Sequence, residues 1–319
     1  MRAVRYHDHG GPDVFGVEEV ARPAPAADEV LVAVEAASVN AVDVLLRSGI
    51  YGETTLPSVP GGDGAGVVAA VGGDVDEFAE GDRVFVSGLD RSAGGTFAEY
   101  AAVPATKAAR LPADVSFAEG AALANVGATA WTAQAEVAGV RAGDRVLVHG
   151  GAGGVGHAAV QVAAAGGAEV ITTAGPDVDH DRLRGLGAAA VFDYTSDTLA
   201  EDVLAATGGA GVETVLDHRL DEYLDLDLAV LAEGGQVVAL MGGVPEANPL
   251  PFYAKEVSLQ ALRMDNRPVR RPALERVARL LERGDLTGVV AETYGFDAVD
   301  RAHREIEDGG FLGKLVVTP

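Results

Sequence analysis

Two different hydrophobic patterns divide the chain. Over the first 120 or so residues, short runs of alternating apolar and polar positions are separated by Gly-Gly and Gly-Asp pairs, a pattern typical of half-buried strands joined by tight turns. The clearest run is EVLVAVEAASV at residues 29–39, in which Val30, Val32 and Val34 share one face. This part of the chain is therefore predicted to be β-rich. Its other predicted strands are residues 66–71, 83–86 and 96–103.

The pattern changes after Ser116, which with Glu119 forms a capping box ahead of an alanine-rich helix. From Asp144 onward, strand-like apolar runs alternate with helical stretches such as 198–206 and 223–231. This alternation predicts a parallel sheet with right-handed crossovers. The six predicted strands are residues 145–149, 169–173, 190–192, 213–216, 236–240 and 257–262. After Pro272 the pattern predicts two helices and a closing strand at 314–317.

A glycine-rich turn carries the strongest chemical signal. The first of these strands runs into GGAGGVG at residues 150–156, where Gly151, Gly153 and Gly156 fit the dinucleotide-binding pattern G-x-G-x-x-G. In that pattern the glycines permit a tight turn, close approach of backbone N–H groups to a pyrophosphate, and packing of helix on strand. The helix N-terminus adds partial positive charge. Because the motif lies between a strand and a helix, we predict a dinucleotide site, with the pyrophosphate on Gly153, Gly154 and Val155.

The second strand of this unit bears on the choice of cofactor. A site selective for NAD(H) offers Asp or Glu about 20 residues past the first glycines. This chain has Thr-Ala-Gly at residues 173–175, and the missing acid favours NADP(H). NAD(H) remains the alternative, because Asp177 and Asp179 follow closely. The nearest basic residues are Arg182 and Arg184.

Charge narrows the function classes further. The 319 residues are 48% hydrophobic and 23% charged, which predicts a folded chain of about two domains. The net charge of −24 disfavours nucleic acid and anionic membranes as partners. The basic residues are almost all arginine, and this lysine scarcity together with the acid excess predicts adaptation to concentrated salt, where the Debye length falls to about 3 Å at 1 M. The alternative is an acidic protein without such adaptation.

The absence of cysteine excludes disulfides, thiolate nucleophiles and iron–sulfur clusters. The N-terminal residues have no apolar core of signal-peptide length, and no uninterrupted apolar run reaches about 18 residues. We therefore expect a cytoplasmic protein with no membrane partner.

Further motifs accompany the glycine turn: SVNAVDVLLRSGIY at 38–51, PGGDGAGVV at 60–68, GDRV at 81–84, GGTFAEY at 94–100 and ATAW at 128–131. Together they resemble the medium-chain dehydrogenase/reductase superfamily, and within it the zinc-independent quinone oxidoreductases related to zeta-crystallin. The resemblance covers nearly the whole chain. It implies an α/β protein with a GroES-like catalytic domain (residues 1–121 and 264–319), a doubly wound Rossmann domain (residues 122–263), and pairing into a homodimer.

The resemblance also predicts that no zinc is used. Zinc alcohol dehydrogenases of the superfamily bind the metal through two cysteines and a histidine, and the matching positions here are Asn40, Gly62 and Asn125. Glycine and amide side chains cannot replace that set. Without a Lewis acid, hydride transfer needs an acceptor activated by conjugation, which is a quinone or, alternatively, an α,β-unsaturated carbonyl or thioester. A non-catalytic sensor or structural protein that binds NADPH is the third hypothesis.

Candidate site residues follow from the same resemblance. On the substrate side, Asn40 would bind a carbonyl, Arg47 would touch substrate, and Tyr51 would line the site or donate a proton. A structural role is the alternative for each. Leu45 stands where related reductases often have a tyrosine, which leaves the proton donor open. The cofactor contacts implied in addition to the glycine turn are Asn125, Thr129, Ala174, Tyr194, His218, Leu240, Met241, Gly242, Leu312 and Lys314.

Overall fold

The computed structural model describes residues 1–51, 55–89, 94–243, 245–246 and 248–319. The strands are β1 (Arg2–Arg5), β2 (Gly16–Glu19), β3 (Glu29–Ser38), β4 (Asp63–Val71), β5 (Arg83–Ser87), β6 (Tyr100–Pro104), β7 (Ala108–Arg110), β8 (Arg145–Val148), β9 (Glu169–Ala174), β10 (Ala188–Asp193), β11 (Val212–Asp217), β12 (Leu231–Ala239), β13 (Ser258–Ala261), β14 (Val290–Gly295) and β15 (Lys314–Thr318). The helices are α1 (Ala41–Arg47), α2 (Phe117–Trp131), α3 (Gly154–Ala165), α4 (His180–Gly185), α5 (Leu199–Ala206), α6 (Leu220–Val230), α7 (Leu250–Lys255), α8 (Arg271–Glu282) and α9 (Val299–Asp308).

These elements form two compact units. Unit 1 comprises Met1–Ala128, Arg267–Gly309 and Gly313–Pro319, and unit 2 comprises Thr129–Asn266 with Gly310–Leu312. Unit 1 extends beyond residue 121, the predicted domain boundary, to Ala128 within helix α2. The domain assignment 1–121 with 264–319 and 122–263 stays a prediction.

Unit 1 is built on a seven-stranded sheet in the order β14-β15-β3-β4-β5-β7, with β6 also paired to β3. The strand predicted at residues 29–39 is observed as β3, with Val30, Val32 and Val34 buried as expected, but Leu31 and Ala37 on its other face are buried too, so β3 is not half-buried. The strand predicted at 96–103 begins only at Tyr100. The reason is that the backbone N–H groups of Thr96 and Phe97 donate to the carbonyls of residues 61 and 60, in the loop before β4.

Unit 2 contains a six-stranded parallel sheet in the order β10-β9-β8-β11-β12-β13. Numbered from β8, this is the order 3-2-1-4-5-6 of doubly wound nucleotide-binding sheets, and the predicted α/β class is confirmed. Leu147, Ile171, Val215 and Val237 lie in its apolar core. The strand order reverses between β8 and β11. In open sheets of this kind ligands bind outside the carboxyl ends of the strands at that switch point.

The six predicted strands of unit 2 are all observed, with shifted ends. The largest shift is at β12, which begins at Leu231 directly after α6 rather than at residue 236. The capping box is also confirmed, because Glu119 N donates to Ser116 Oγ at 3.2 Å and Ser116 N donates to Glu119 Oε2 at 3.1 Å. In the part of the chain described here, no helix combines the length and apolarity needed to cross a bilayer.

The acidic composition leads to a prediction about salt. At a net charge of −24, mutual repulsion of the carboxylates destabilises the folded chain, and salt screens it. We expect the thermal midpoint of unfolding to rise steeply between low salt and about 1 M KCl. At a pH of about 4, where carboxylates begin to protonate, the rise should shrink. A midpoint that stays flat at neutral pH would contradict the adaptation to salt.

Candidate active site

The glycine turn joins β8 to α3 at the switch point of unit 2. Gly150 adopts a φ of +64°, and Gly153 N donates to its carbonyl at 2.8 Å. A Cβ atom on Gly151 would lie 2.1 Å from Thr172 Oγ1, and one on Gly156 would lie 2.0 Å from the carbonyl oxygen of Gly150. Both distances are far below contact. The fold of the turn therefore excludes any side chain at Gly151 and Gly156.

Gly153 is a different case. It is exposed and caps the N-terminus of α3, and a Cβ atom there would meet only the Gly150 carbonyl oxygen, at 3.2 Å. A Cβ atom here would require that oxygen to move by a few tenths of an ångström, a far smaller demand than at Gly151 or Gly156. The first-turn N–H groups of a helix lack intrahelical acceptors, and Gly154 and Val155 lie in this first turn. The turn fits a pyrophosphate at Gly153, Gly154 and Val155.

Residues at the ends of β9 and β10 form the neighbouring surface. Tyr194 N donates to Ala174 O at 3.1 Å, and a Cβ atom on Gly175 would lie 3.4 Å from the Tyr194 ring. The tyrosine side of this surface is open, since Tyr194 is 47% exposed. The nearby Asp179 carboxylate accepts the N–H groups of Asp181 and Arg182 as the N-cap of α4. Ala174 and Tyr194 are thus brought together in unit 2.

The carboxyl ends of β11 and β12 also meet. Leu240 N donates to Asp217 O at 2.7 Å, and Met241 is exposed. Gly242 has a φ of +108°, and a Cβ atom there would lie 2.5 Å from the N of Leu220. Of the remaining predicted contacts, His218 is exposed with its ring against Gly150, Thr129 is buried on α2, and Leu312 is buried in unit 2.

A buried polar cluster below the glycine turn was missed from the sequence. His149 Nε2 lies 2.8 Å from Asp227 Oδ1, with both side chains fully buried, and the His149 ring stacks on Tyr223 at 4.4 Å. His149 Nδ1 lies 3.4 Å from Thr173 Oγ1, which accepts the N–H of Gly150 at 3.0 Å. A polar chain therefore runs from α6 through His149 to the first residue of the turn.

The protonation of this cluster follows from its burial. Burial raises the pKa of Asp227 to about 8 and lowers the pKa of His149 to about 4. Burial and the neighbouring Asp227 carboxylate raise the pKa of Asp217 to about 6. At neutral pH the His149–Asp227 contact is therefore a neutral hydrogen bond. The one feature of the sequence that could have indicated this cluster was a histidine just before the glycine run.

Unit 1 holds a second buried cluster, around Asn40. Its Nδ2 donates to Asp63 Oδ1 at 2.6 Å, and its Oδ1 accepts from Lys314 Nζ at 2.8 Å. Ser38 Oγ donates to Asp63 Oδ2 at 2.6 Å. Lys314, predicted to close over the cofactor, turns its ammonium to Asn40 and to the carbonyl of Val39. Its contact with the cofactor stays a prediction.

This cluster and its neighbours do not fit a zinc ion. Of the positions that match zinc ligands in alcohol dehydrogenases, Asn40 has its oxygen on an ammonium, Gly62 has no side-chain ligand, and Asn125 Oδ1 accepts from Ser87 Oγ at 3.3 Å. Zinc prefers thiolate, imidazole and carboxylate ligands. Over the described ranges, no group of three or more His, Asp or Glu residues is arranged to hold a metal ion.

Arg47 and Tyr51 complete the predicted substrate side. Arg47 is 2% exposed, and its guanidinium donates to Gly10 O at 3.1 Å and to Glu307 Oε1 at 2.7 Å. These contacts favour the structural alternative, in which Arg47 ties α1 to α9. Tyr51 is half-buried, and its N–H donates to Leu45 O at 3.2 Å. The roles proposed for Arg47 and Tyr51 toward substrate stay predictions.

Comparisons with known proteins assign the chain to a family. Residues 26–113 match the alcohol dehydrogenase GroES-like domain, and residues 186–317 match the zinc-binding dehydrogenase family. The quinone oxidoreductase of Pongo abelii is 35% identical over 99% of this chain and 97% of its own length. The chain belongs to the quinone oxidoreductase family. The predicted resemblance to medium-chain reductases is thereby confirmed, and the chain is an oxidoreductase.

Solved structures of proteins with several different activities are similar to this member of the quinone oxidoreductase family. A structure described as an NAD-dependent alcohol dehydrogenase superposes with a TM-score of 0.92 at 32% identity, covering 100% of both chains. The Escherichia coli quinone oxidoreductase complexed with NADPH gives 0.89 at 28% identity, again over 100% of both chains. The CurK enoyl reductase gives 0.87 at 27% identity, over 99% of this chain and 98% of that one.

Proposed function

We propose that this protein is an NADPH-dependent reductase that transfers a hydride to a quinone. The observation that carries the proposal is the exposed Gly153 at the N-terminus of α3, at the switch point of a doubly wound sheet, in a chain similar over its full length to quinone oxidoreductases. Gly151 and Gly156 are required by the turn itself, whereas Gly153 is exposed and meets a much weaker steric demand within the protein, so a ligand at the turn would explain the glycine there.

The protein's own groups would do three things in this reaction. The N–H groups of Gly154 and Val155, beside the exposed Gly153, would bind the pyrophosphate, and the Asn40 amide would hold the acceptor carbonyl. The nicotinamide, when bound, supplies the hydride with its electron pair. Once the hydride is transferred, one proton completes the hydroquinone, and it comes from solvent or from Tyr51.

Two observations support NADPH over NADH. Residues 173–175 offer no carboxylate to a ribose 2′-hydroxyl, and the Asp179 carboxylate is engaged in capping α4. The similar E. coli enzyme was crystallised with NADPH. Arg182 on α4 is the basic side chain that we assign to the 2′-phosphate, because it is exposed and follows the end of β9 closely.

Reversing the charge of Arg182 tests this assignment. In Arg182→Glu we expect KM for NADPH to rise about tenfold, while KM for NADH changes less than about twofold, since only NADPH carries the 2′-phosphate. The matched control is Arg184→Glu on the same helix, whose guanidinium already pairs with Asp181 at 2.7 Å. Equal effects on both cofactors, or none on NADPH, would contradict the role of Arg182.

Reduction of an activated alkene is the second candidate function. The likeness to the CurK enoyl reductase favours it, and an enone presents the same carbonyl to Asn40. Parallel assays with p-benzoquinone, a simple enone and an α,β-unsaturated acyl thioester separate the two. Faster turnover of the quinone supports the proposal, and turnover of the enone or thioester alone would move the assignment to alkene reduction. Cofactor binding with no turnover of any acceptor would favour a sensor.

We further propose that the enzyme works without zinc and as a homodimer. The donor set around Asn40 supports the first point. Metal analysis of the purified active protein and its mass in solution test the two statements. Stoichiometric zinc, or a monomeric mass under assay conditions, would contradict them.

A further inference from the structure

We propose that Lys314 and Asp63 position and polarise the Asn40 amide that receives the acceptor carbonyl. This inference rests on the proposed function, and it assigns the two charged residues a positioning role rather than direct contact with substrate. Lys314 and Asp63 lie far from each other in sequence, and both are buried, with 4% and 1% of their surfaces exposed. Their place in the sheet explains how they reach Asn40.

Strand register brings the three side chains together. In the antiparallel pair β15–β3, Val316 lies opposite Ser38, so the register carries Lys314 to a position opposite Asn40. In the antiparallel pair β3–β4, Ala37 lies opposite Gly64, which places Asp63 opposite Ser38. The ammonium, the amide and the carboxylate therefore converge where β3 ends and α1 begins.

The two charges fix which way the amide points. An ammonium can only donate hydrogen bonds and a carboxylate can only accept them. Asn40 Oδ1 must therefore face Lys314, at 2.8 Å, and Nδ2 must face Asp63 Oδ1, at 2.6 Å. The Asn40 backbone is held as well, because its N–H donates to Asp43 Oδ2 at 2.8 Å at the start of α1.

The second hydrogen of the amide is held only weakly within the protein. Its hydrogen bond goes to Ser38 O, at 3.5 Å from Nδ2, which is the outer limit of a hydrogen bond. Asn40 is 7% exposed, whereas Asp63 and Ser38 are 1% and 0% exposed. A carbonyl oxygen of a small acceptor would reach this hydrogen and compete successfully with so long a contact.

The Lys314 ammonium also makes that hydrogen a better donor. An ammonium on Oδ1 draws electron density from the amide, and linked hydrogen bonds strengthen one another in a medium of low dielectric constant. Burial lowers the pKa of Lys314, while the carboxylates of Asp63 and Asp43 oppose that change. Buried charges are weak evidence for stability, since apolar residues often stabilise a protein as well. We therefore assign Lys314 and Asp63 the role of orienting Asn40 for the reaction.

The test removes both charges together. Lys314→Met alone would remove a buried cation that faces the carboxylates of Asp63 and Asp43, and such a variant risks unfolding. The double variant Lys314→Met/Asp63→Asn is neutral and keeps an acceptor oxygen for Asn40 Nδ2. We expect it to fold and to bind NADPH within about twofold of wild type, while kcat/KM for p-benzoquinone falls about tenfold to a hundredfold.

Two further variants separate positioning from a general structural effect. In an Asn40→Ala background, the same double substitution should cause no further loss, because its effect passes through the amide. Lys107→Met serves as the control, since it removes another lysine of unit 1 that donates to a backbone carbonyl, that of Gly88, and it should keep the wild-type kcat/KM.

Two results would overturn the inference. One is a folded Lys314→Met/Asp63→Asn variant with kcat/KM within about threefold of wild type. The other is a double substitution that lowers kcat/KM by the same factor in the Asn40→Ala background as in wild type. Failure of the proposed function has a different signature, because wild-type protein would then consume no NADPH with the quinone, and the inference would fall with it.

Discussion

Replacing Gly153 by valine is expected to abolish cofactor binding while the protein stays folded. A side chain at this exposed position would meet only the Gly150 carbonyl oxygen within the protein, at 3.2 Å, but it would occupy the space through which a pyrophosphate reaches the N-terminus of α3. Valine is a poor N-cap, at a cost of about 1 kcal/mol. Fluorescence titration should show the dissociation constant for NADPH rising about a hundredfold or more.

The matched control is Gly156→Ala in the same turn. Its Cβ atom would lie 2.0 Å from the Gly150 carbonyl oxygen, so this smaller substitution should damage the fold of unit 2 itself. Circular dichroism and the thermal midpoint separate the two variants. Unimpaired NADPH binding by Gly153→Val would mean that the turn is only structural. An unfolded Gly153→Val would contradict the inference that the protein accommodates a side chain at this position.

The second large effect concerns Asp227 and the dependence of stability on pH. Burial raises the pKa of Asp227 to about 8, so folding favours its protonated form, and the resulting stability is lost as pH rises through about 8. The pKa of His149 is lowered to about 4, so the stability it contributes is present above pH 6.5 and lost as pH falls toward 4. Asp217, with a pKa of about 6, has largely ionised by pH 7.

Between pH 6.5 and pH 8, Asp227 should therefore account for most of the effect of this cluster on the free energy of unfolding. We expect the free energy of unfolding to fall by up to about 2 kcal/mol across that range, at most about 1.4 kcal/mol per pH unit. Asp227→Asn should remove this fall, because an amide does not titrate and still bonds to His149. Denaturant unfolding at several pH values measures it.

The control for this experiment is Asp225→Asn, an exposed position on the same helix. It should leave the pH dependence of the wild type unchanged. If Asp227→Asn keeps the wild-type slope, or if wild-type stability rises from pH 6.5 to pH 8, the pair is ionised in the folded protein and the neutral hydrogen bond is wrong.

Much of the fold was predictable because local patterns govern it. The alternation in β3 and the βα repeats after Asp144 each follow from periodicity in a short window, and periodicity decides which face of an element is buried. The glycine turn was equally accessible, since Gly150, Gly151 and Gly156 each meet a steric demand within or beside the turn. The start of β12 was not, because α6 ends directly against it with no loop residues to mark the change.

The polar clusters depend on contacts between distant parts of the chain. Lys314 and Asn40 are 274 residues apart, and only the register of β15 on β3 places them together. Asp227 lies 78 residues from His149, on a helix that carries several other acids. Nothing local distinguishes the one buried carboxylate from its exposed neighbours. For the same reason the sequence assigned Lys314 to the cofactor rather than to Asn40.

The most direct test of the central claim is a comparison of wild type with Gly153→Val in about 1 M KCl. Each protein is mixed with NADPH and p-benzoquinone, and loss of the reduced nicotinamide absorbance is measured together with the hydroquinone formed. We predict one hydroquinone per NADPH consumed with the wild type and background rates with the variant. Wild-type protein that binds NADPH but consumes none, or a variant as active as wild type, would contradict the account.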